Sequence, residues 1–420
     1  MSNSQFLNTA SASIAKDTTT YLPVCGSMIA RTVQAETERP IRDAGVFSNL
    51  FVYLASNSID TGNSTINFRI NTTNLITVTI APLATGIFEN LSDTGTATNT
   101  NYICYQVVTG TGSAGQNIII KVLGIKFAPT TTTNTVQILA AGGTFNVSEA
   151  SVTRYLTPVH YLPSAFSTTE SGAKYRIREP APATVTASDF FVYVSANSRT
   201  TTTTFRTRKN GNNGAQSVAF PSLESGGLED TTNTDSLVAG DDFNYSVTTL
   251  TGTQALTVHT ISCSLISTVD SFVLLKANVA GTGIAFNTTA YAGVAGSLPT
   301  FTLSEADTQI YPRFSFTARE LGVYVSANGI TTNATVVTLR DNGADSTLTV
   351  SYAAGETGLK LDSVNTTEIT SGIDKIDFKV VTPNTSGNIT FTWMGIIGVA
   401  IAEPVSASIR RQRILRRGGR

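Results

Sequence analysis

Histidine, cysteine and tryptophan are nearly missing from this chain of 420 residues, with two, three and one of each. The cysteines, Cys25, Cys104 and Cys263, lie far apart and form no Cys-x-x-Cys pair. An odd number at such spacing argues against a disulfide framework and against a zinc site, and leaves three small buried residues. The histidines are His160 and His259, and His259 alternates with Leu256 and Val258, which predicts that it faces outward on a strand. There is no Gly-x-Ser-x-Gly elbow, no His-Glu-x-x-His pair and no phosphate loop. Paired carboxylates are invisible to sequence, but nothing else announces a reaction, and the expectation is a protein that is not an enzyme. Charged residues are scarce at 14%, against roughly 25% in ordinary soluble chains. Long apolar runs are missing too. The longest, residues 393–402, is too short for a bilayer, and residues 1–21 lack the basic start and apolar run of a secretory signal. The expected site of synthesis is therefore a cytoplasm, with no membrane partner.

What fills the space is apolar residues at 41% together with abundant Thr, Ser, Asn and Gly. Threonine favours strands, and Gly, Asn and Ser favour turns, so the composition predicts an all-β fold with short loops. One heptapeptide occurs three times: Phe-Val-Tyr-Leu-Ala-Ser-Asn at residues 51–57, Phe-Val-Tyr-Val-Ser-Ala-Asn at 191–197 and Gly-Val-Tyr-Val-Ser-Ala-Asn at 322–328. Repeats of long period specify the whole architecture. Three further anchors keep nearly the same offset: Thr85-Gly86, Ser225-Gly226 and Thr357-Gly358; the strands around Tyr105, Tyr245 and Phe378; and the closing strands ending near Phe127, Ile266 and Ile401. Alternation is clean at Ile66, Phe68 and Ile70, and Asn210-Gly211 and Asn342-Gly343 read as hairpin turns.

Short strands with turns every 8–12 residues suit β-sandwiches of jelly-roll or immunoglobulin-like kind. The absence of a Cys–Trp–Cys pattern and the unit length favour jelly roll. The predicted organisation is an N-terminal arm at 1–20, three sandwiches at 21–128, 161–267 and 297–403, connecting strands at 129–160 and 268–296, and a basic tail at 404–420. Leu-Pro pairs at Leu22-Pro23, Leu162-Pro163 and Leu298-Pro299 are taken to open the three units, with Arg42, Arg178 and Arg313 closing the polar stretch that follows each.

In the repeated heptapeptide, Val52 and Leu54 share one side of the strand, while Phe51 and Tyr53 make the other side apolar as well. A strand apolar on both faces is buried on both. Phe51, Tyr53, Phe191, Tyr193 and Tyr324 therefore mark either an interface between units or copies, or a central strand covered by the unit's own loops. Acidic, Asn-rich loops invite calcium, which takes six to eight oxygens, and the candidates are Asp230, Asp235 and Asp241. Their spacing matches no dedicated calcium loop, and turn-forming Asx residues account for them better; no other cofactor is expected.

The end of the chain carries Arg410, Arg411, Arg413, Arg416, Arg417 and Arg420, with no acid after Glu403. Without these six the 28 basic residues fall to 22 against 29 acids, a net of −7 for residues 1–403. Such a tail docks on an acidic protein surface, neutralises phosphates of a nucleic acid, or stays idle. Ile409, Ile414 and Leu415 between the arginines favour docking on protein, since apolar side chains gain nothing on phosphate.

The Val-Ser-Ala-Asn motif, the Arg-x-Asn-Gly hairpin and the Glu-Asp-Thr-Thr-Asn-Thr stretch resemble those of tandem β-sandwich repeat proteins of tailed phages and bacteria, some of them virion decoration, fibre or tail components. The resemblance covers about 300 residues and carries no catalytic residues. It implies a structural assembly protein of a virion, made in the host cytoplasm, whose partners are copies of itself and other virion proteins. A self-assembling extracellular filament or tube and a carbohydrate-binding adhesin are the other readings.

Overall fold

The fold is that of a computed structural model, which describes residues 4–130, 135–162, 167–170, 175–176, 185–238, 240–267, 272–278, 283–297, 301–383 and 386–401. Strands dominate, and the described helical turns are the short 3-10 segments Gln34–Glu36 and Glu305–Asp307. No helix among the described residues is long and apolar enough to cross a membrane.

In unit 1 the strands are β1 (Ser4–Ala15), β2 (Thr19–Leu22), β3 (Arg39–Ile41), β4 (Gly45–Asn57), β5 (Ser64–Ile70), β6 (Thr73–Ile80), β7 (Gly86–Ala97), β8 (Asn101–Val108) and β9 (Asn117–Pro129). One sheet has the order β1-β9-β4-β7 and the other β2-β8-β5-β6, with β3 added on β8. The pairs are nested: first with last, second with next to last, and so inward to the β5–β6 hairpin. That is a long hairpin rolled into a sandwich, the jelly roll. The same order recurs in unit 2, from Thr135–Val147 to Leu256–Ser267, and in unit 3, from Phe272–Asn278 to Asn388–Ala400. The chain is three tandem jelly-roll sandwiches.

Two details differ from the sequence reading. The segments expected to be an N-terminal arm and connecting strands are hydrogen-bonded members of the sheets: β1 lies on β9, Thr135–Val147 on Leu256–Ser267, and Phe272–Asn278 on Asn388–Ala400. The physical reason is the last strand, which is flanked on both edges and so requires a first strand beside it. Nor does the Leu22-Pro23 pair stand where the sequence reading put it relative to Leu162; Pro163, Leu298 and Pro299 lie outside the described residues. Tyr21-Leu22 corresponds to Tyr155-Leu156 and Tyr291-Ala292, which pair with Tyr105, Tyr245 and Phe378 in the same register.

A bulge just before the heptapeptide sets which residues of this strand face the unit core. Asn49, with φ 57°, breaks the register between Ser48 and Leu50, and Asp189 (φ 53°) and Glu320 (φ 54°) do the same in units 2 and 3. A bulge adds one residue to a strand and shifts which side chains face inward. Phe47, Leu50, Val52 and Leu54 thus all enter the unit core, beside Phe68 and Phe127, whose rings lie 4.6 and 4.5 Å from Phe47. Phe51 and Tyr53 are left pointing away from it. The closing Asn of the heptapeptide has its own task. Asn57 Nδ2 donates to the carbonyls of Ala81 and Ala84, and its Oδ1 accepts from Ile59 N–H. Asn197 and Asn328 clasp the equivalent turns in units 2 and 3.

Candidate functional site at the seams between units

The outward-facing side chains of this strand meet neighbouring units. Phe51 of unit 1 is buried in the apolar cluster of unit 3 together with Leu7 and Val122, and Tyr53 packs on the same cluster. The Phe51 ring lies 5.6 Å from that of Tyr311, and the Arg313 guanidinium sits 4.7 Å above it. In unit 2, Phe191 lies 6.0 Å from Tyr102 of unit 1. The Tyr193 hydroxyl is held above its ordinary pKa by burial first, then by Glu36 and Glu38 of unit 1. Tyr324 of unit 3 stacks on Trp393 at 6.5 Å, and both pack against the core of unit 2. Each unit therefore touches both others, and the three close into a ring.

Among the described residues, two of the three seams use one charged design. Arg42 of unit 1 holds Glu229 of unit 2 with two hydrogen bonds, 2.8 Å from Nε to Oε1 and 2.6 Å from Nη2 to Oε2, over the Tyr102 ring. Arg313 of unit 3 donates to Glu89 of unit 1 at 2.7 Å. The 3-10 turns add a second pair each: Glu36 lies 3.6 Å from His259 of unit 2, and Asp307 lies 3.7 Å from Lys121 of unit 1. Such contacts run head to tail, 1 to 2 and 3 to 1, as in a heterologous ring that closes on itself. Main-chain contacts join in: Thr9 N–H donates to Ala295 O at 3.2 Å, and Arg313 N–H to Gln5 Oε1 at 2.8 Å.

The seam between units 2 and 3 has different chemistry. Register places Leu361 where Glu89 and Glu229 stand, and Gly322 where Phe51 and Phe191 stand. The missing ring is supplied by Trp393, at the position of Val122 and Thr260; a Cβ on Gly322 would lie 3.1 Å from its ring. Arg178, the counterpart of Arg42 and Arg313, lies outside the described residues, as do the six tail arginines 410, 411, 413, 416, 417 and 420.

His259 faces outward from its own unit, as alternation predicts, but the neighbouring unit buries it. Its Nδ1 sits 2.8 Å from Gly143 O and its Nε2 2.8 Å from Ser195 Oγ, and burial lowers its pKa. Ser195 and Glu36 both address Nε2, so the acid and the hydroxyl do not stand on opposite sides of the ring as a nucleophilic triad requires. Asp230, Asp235 and Asp241 do not converge. Asp230 accepts the N–H groups of Ser217, Thr232 and Asn233, which, against its burial, bring its pKa down to about 2. Asp235 accepts from Thr207, Ala215 and Gln216, and Asp241 from Val238 and Asn210, with Lys209 at 3.0 Å. These oxygens are engaged by donors, and no cluster of three or more His, Cys, Asp or Glu suited to a metal occurs among the described residues. Asp230 and Asp362 instead tie β-edges together, accepting the backbone N–H of Ser217 and Thr349 across the sandwich mouth.

Unit 3 holds one further charged feature. Asp377 is fully buried, accepts from Thr308 Oγ1 at 3.0 Å, and is pushed by burial up to about 7. Unit 2 has Asn244 and unit 1 Cys104 at this position.

No family model matches the chain, and no curated protein matches it. Solved structures with some likeness include the insecticidal δ-endotoxin Cry8Ea1 from Bacillus thuringiensis, with 10% identity over 93% of this chain and 60% of that one at TM-score 0.19. The mosquito-larvicidal Cry4Aa toxin of the same organism gives 10%, 87%, 54% and 0.19, and a Paenibacillus xanthan lyase gives 11%, 86%, 53% and 0.17. The chain thus spans 60% or less of these proteins. TM-scores this low carry no argument about fold or activity.

Proposed function

We propose that the chain is a non-enzymatic structural assembly protein, a surface component of a virion that docks through its basic tail. The observation that supports this most is the use made of its charged groups: Arg42, Arg313, Glu89 and Glu229 join one sandwich to the next. The ring is a stiff body, because ion pairs and aromatic rings are fixed at its seams and each unit pairs its first strand with its last. Its partners are other copies and a shell protein with an acidic face, reached by the six arginines beyond residue 404. The body, at a net −7, offers such a face to a neighbouring copy as well.

The test is a gradient sedimentation of virus particles from the host lysate mixed with purified protein, full length or lacking residues 404–420. Full-length protein is expected to travel with particles in a salt-dependent manner and the truncated form to stay at the top. Equal behaviour of the two forms overturns tail docking, and absence of both from particles overturns the virion reading.

A further inference from the structure

The three seams differ in covalent linkage. Units 1 and 2 are joined through the four residues between Thr130 and Thr135, and units 2 and 3 through the four between Ser267 and Phe272. The seam between units 3 and 1 has no chain across it. It is held by Arg313 on Glu89 and over Phe51, by Lys121 near Asp307, and by the Thr9–Ala295 contact. Each of these could be made equally well by unit 3 of a different copy, because the contacts are heterologous and nothing in them requires the two units to share a chain.

We propose that this protein associates with a second copy of itself by exchanging a terminal unit, so that unit 3 of one chain closes the ring of another. Four residues, fully extended, span only about 14 Å, and short connections are the setting in which exchange competes with intramolecular closure. The exchanged dimer contains the same three seams per ring as the monomer, so the two forms differ mainly in chain entropy. Protein concentration then decides between them. Two partners exchanging reciprocally close; chains exchanging in sequence give an open string. The proposal gives the assembly reading its self-contact, yet it is tested on purified protein alone and stands or falls independently of any virion.

The experiment uses charge reversal. In Arg313→Glu the chain's own seam sets the introduced carboxylate against Glu89, and in Glu89→Arg it sets the introduced guanidinium against Arg313. Denatured together and refolded, the two variants can satisfy every pair only by exchange. Light scattering on the eluting species is expected to show a complex of twice the chain mass containing both variants in equal amount. The double variant Arg313→Glu/Glu89→Arg is expected to return to the parent distribution. Should the reversed pair fail to fold even there, chains with one cysteine each give the answer, made with Cys25, Cys104 and Cys263 replaced by alanine: Thr9→Cys and Ala295→Cys in that background, co-refolded under oxidation, are expected to yield a disulfide-linked dimer on a non-reducing gel, well above the yield from either variant alone. Lengthening the segment between Ser267 and Phe272 with glycine and serine is expected to reduce that dimer. No mixed dimer in the cysteine experiment overturns the proposal.

Discussion

Units 2 and 3 share strand order, the bulge before the heptapeptide and the Asn clasp, yet they differ at nearly every side chain that decides a seam or a buried charge. Unit 2 presents Phe191 and Glu229, has Asn244 in its core and carries Leu223 at a turn; unit 3 has Gly322, Leu361, Asp377 and Gly355. The backbone pairings keep the geometry, and the chemistry that fills it is interchangeable so long as volume and hydrogen bonding are kept. Four substitutions probe how far that holds.

The largest effect is expected at Trp393, which is 3% exposed and takes the place of the missing Phe ring. Trp393→Ala should cost about 3–5 kcal/mol in denaturant unfolding. Adding Gly322→Phe to Trp393→Val, which copies the Phe51/Val122 arrangement of unit 1, should recover a large part of it. No recovery would mean that the two arrangements are not equivalent.

Next comes Asp377. Burial raises its folded pKa to about 7, above the ordinary aspartate value, so the protonated form is the one that the fold favours. The stability it contributes is complete below the ordinary carboxylate range, about pH 4, and is lost as pH rises through 7, by about 3–4 kcal/mol. Asp377→Asn, the unit 2 solution, should match the parent at acid pH and exceed its thermal midpoint at mildly alkaline pH. Parallel pH curves would refute this.

Arg313→Met should cost about 2–3 kcal/mol, the lower end for a broken buried pair because Glu89 keeps 34% of its side chain in water. Removing both charges with Arg313→Met/Glu89→Leu, after the Leu361 seam, should be nearly neutral. A double-mutant cycle measures the coupling directly.

The smallest effect is expected at the clasped turn. Leu83 and Leu223 are 60% and 63% exposed with φ of 60° and 64°, a left-handed backbone that disfavours a side chain, whereas unit 3 has Gly355 with φ 72°. Leu223→Gly should stabilise by about 1 kcal/mol. A loss would show that the exposed leucine makes a contact that the isolated ring does not.

Much of this was legible beforehand. The threefold repeat, the sandwich class and the doubly apolar heptapeptide strand follow from periodicity at Phe51, Tyr53, Val52 and Leu54. The first strands were not legible as such, because Val136 to Leu139 and Phe272 to Leu275 look like connections until their partner, the last strand, is known. The bulge left no signal either: Asn49, Asp189 and Glu320 share only a backbone angle. Arg42 and Arg313 were visible merely as aligned positions, since their partners Glu229 and Glu89 lie in other units. For His259 the sequence could show the side of the strand but not what covers it.

The pairing of each unit's first strand with its last has a kinetic consequence. Ser4 sits opposite Phe127, Thr135 opposite Ser267 and Phe272 opposite Val399, so every unit has high contact order and must close a loop nearly as long as itself. Folding of that kind is slow, in the millisecond to second range. On a ribosome unit 1 completes its sheet only when Pro129 has emerged, and the ring only after unit 3 is made. Until then the Phe51 face stays uncovered, which gives newly made chains a window in which to find each other.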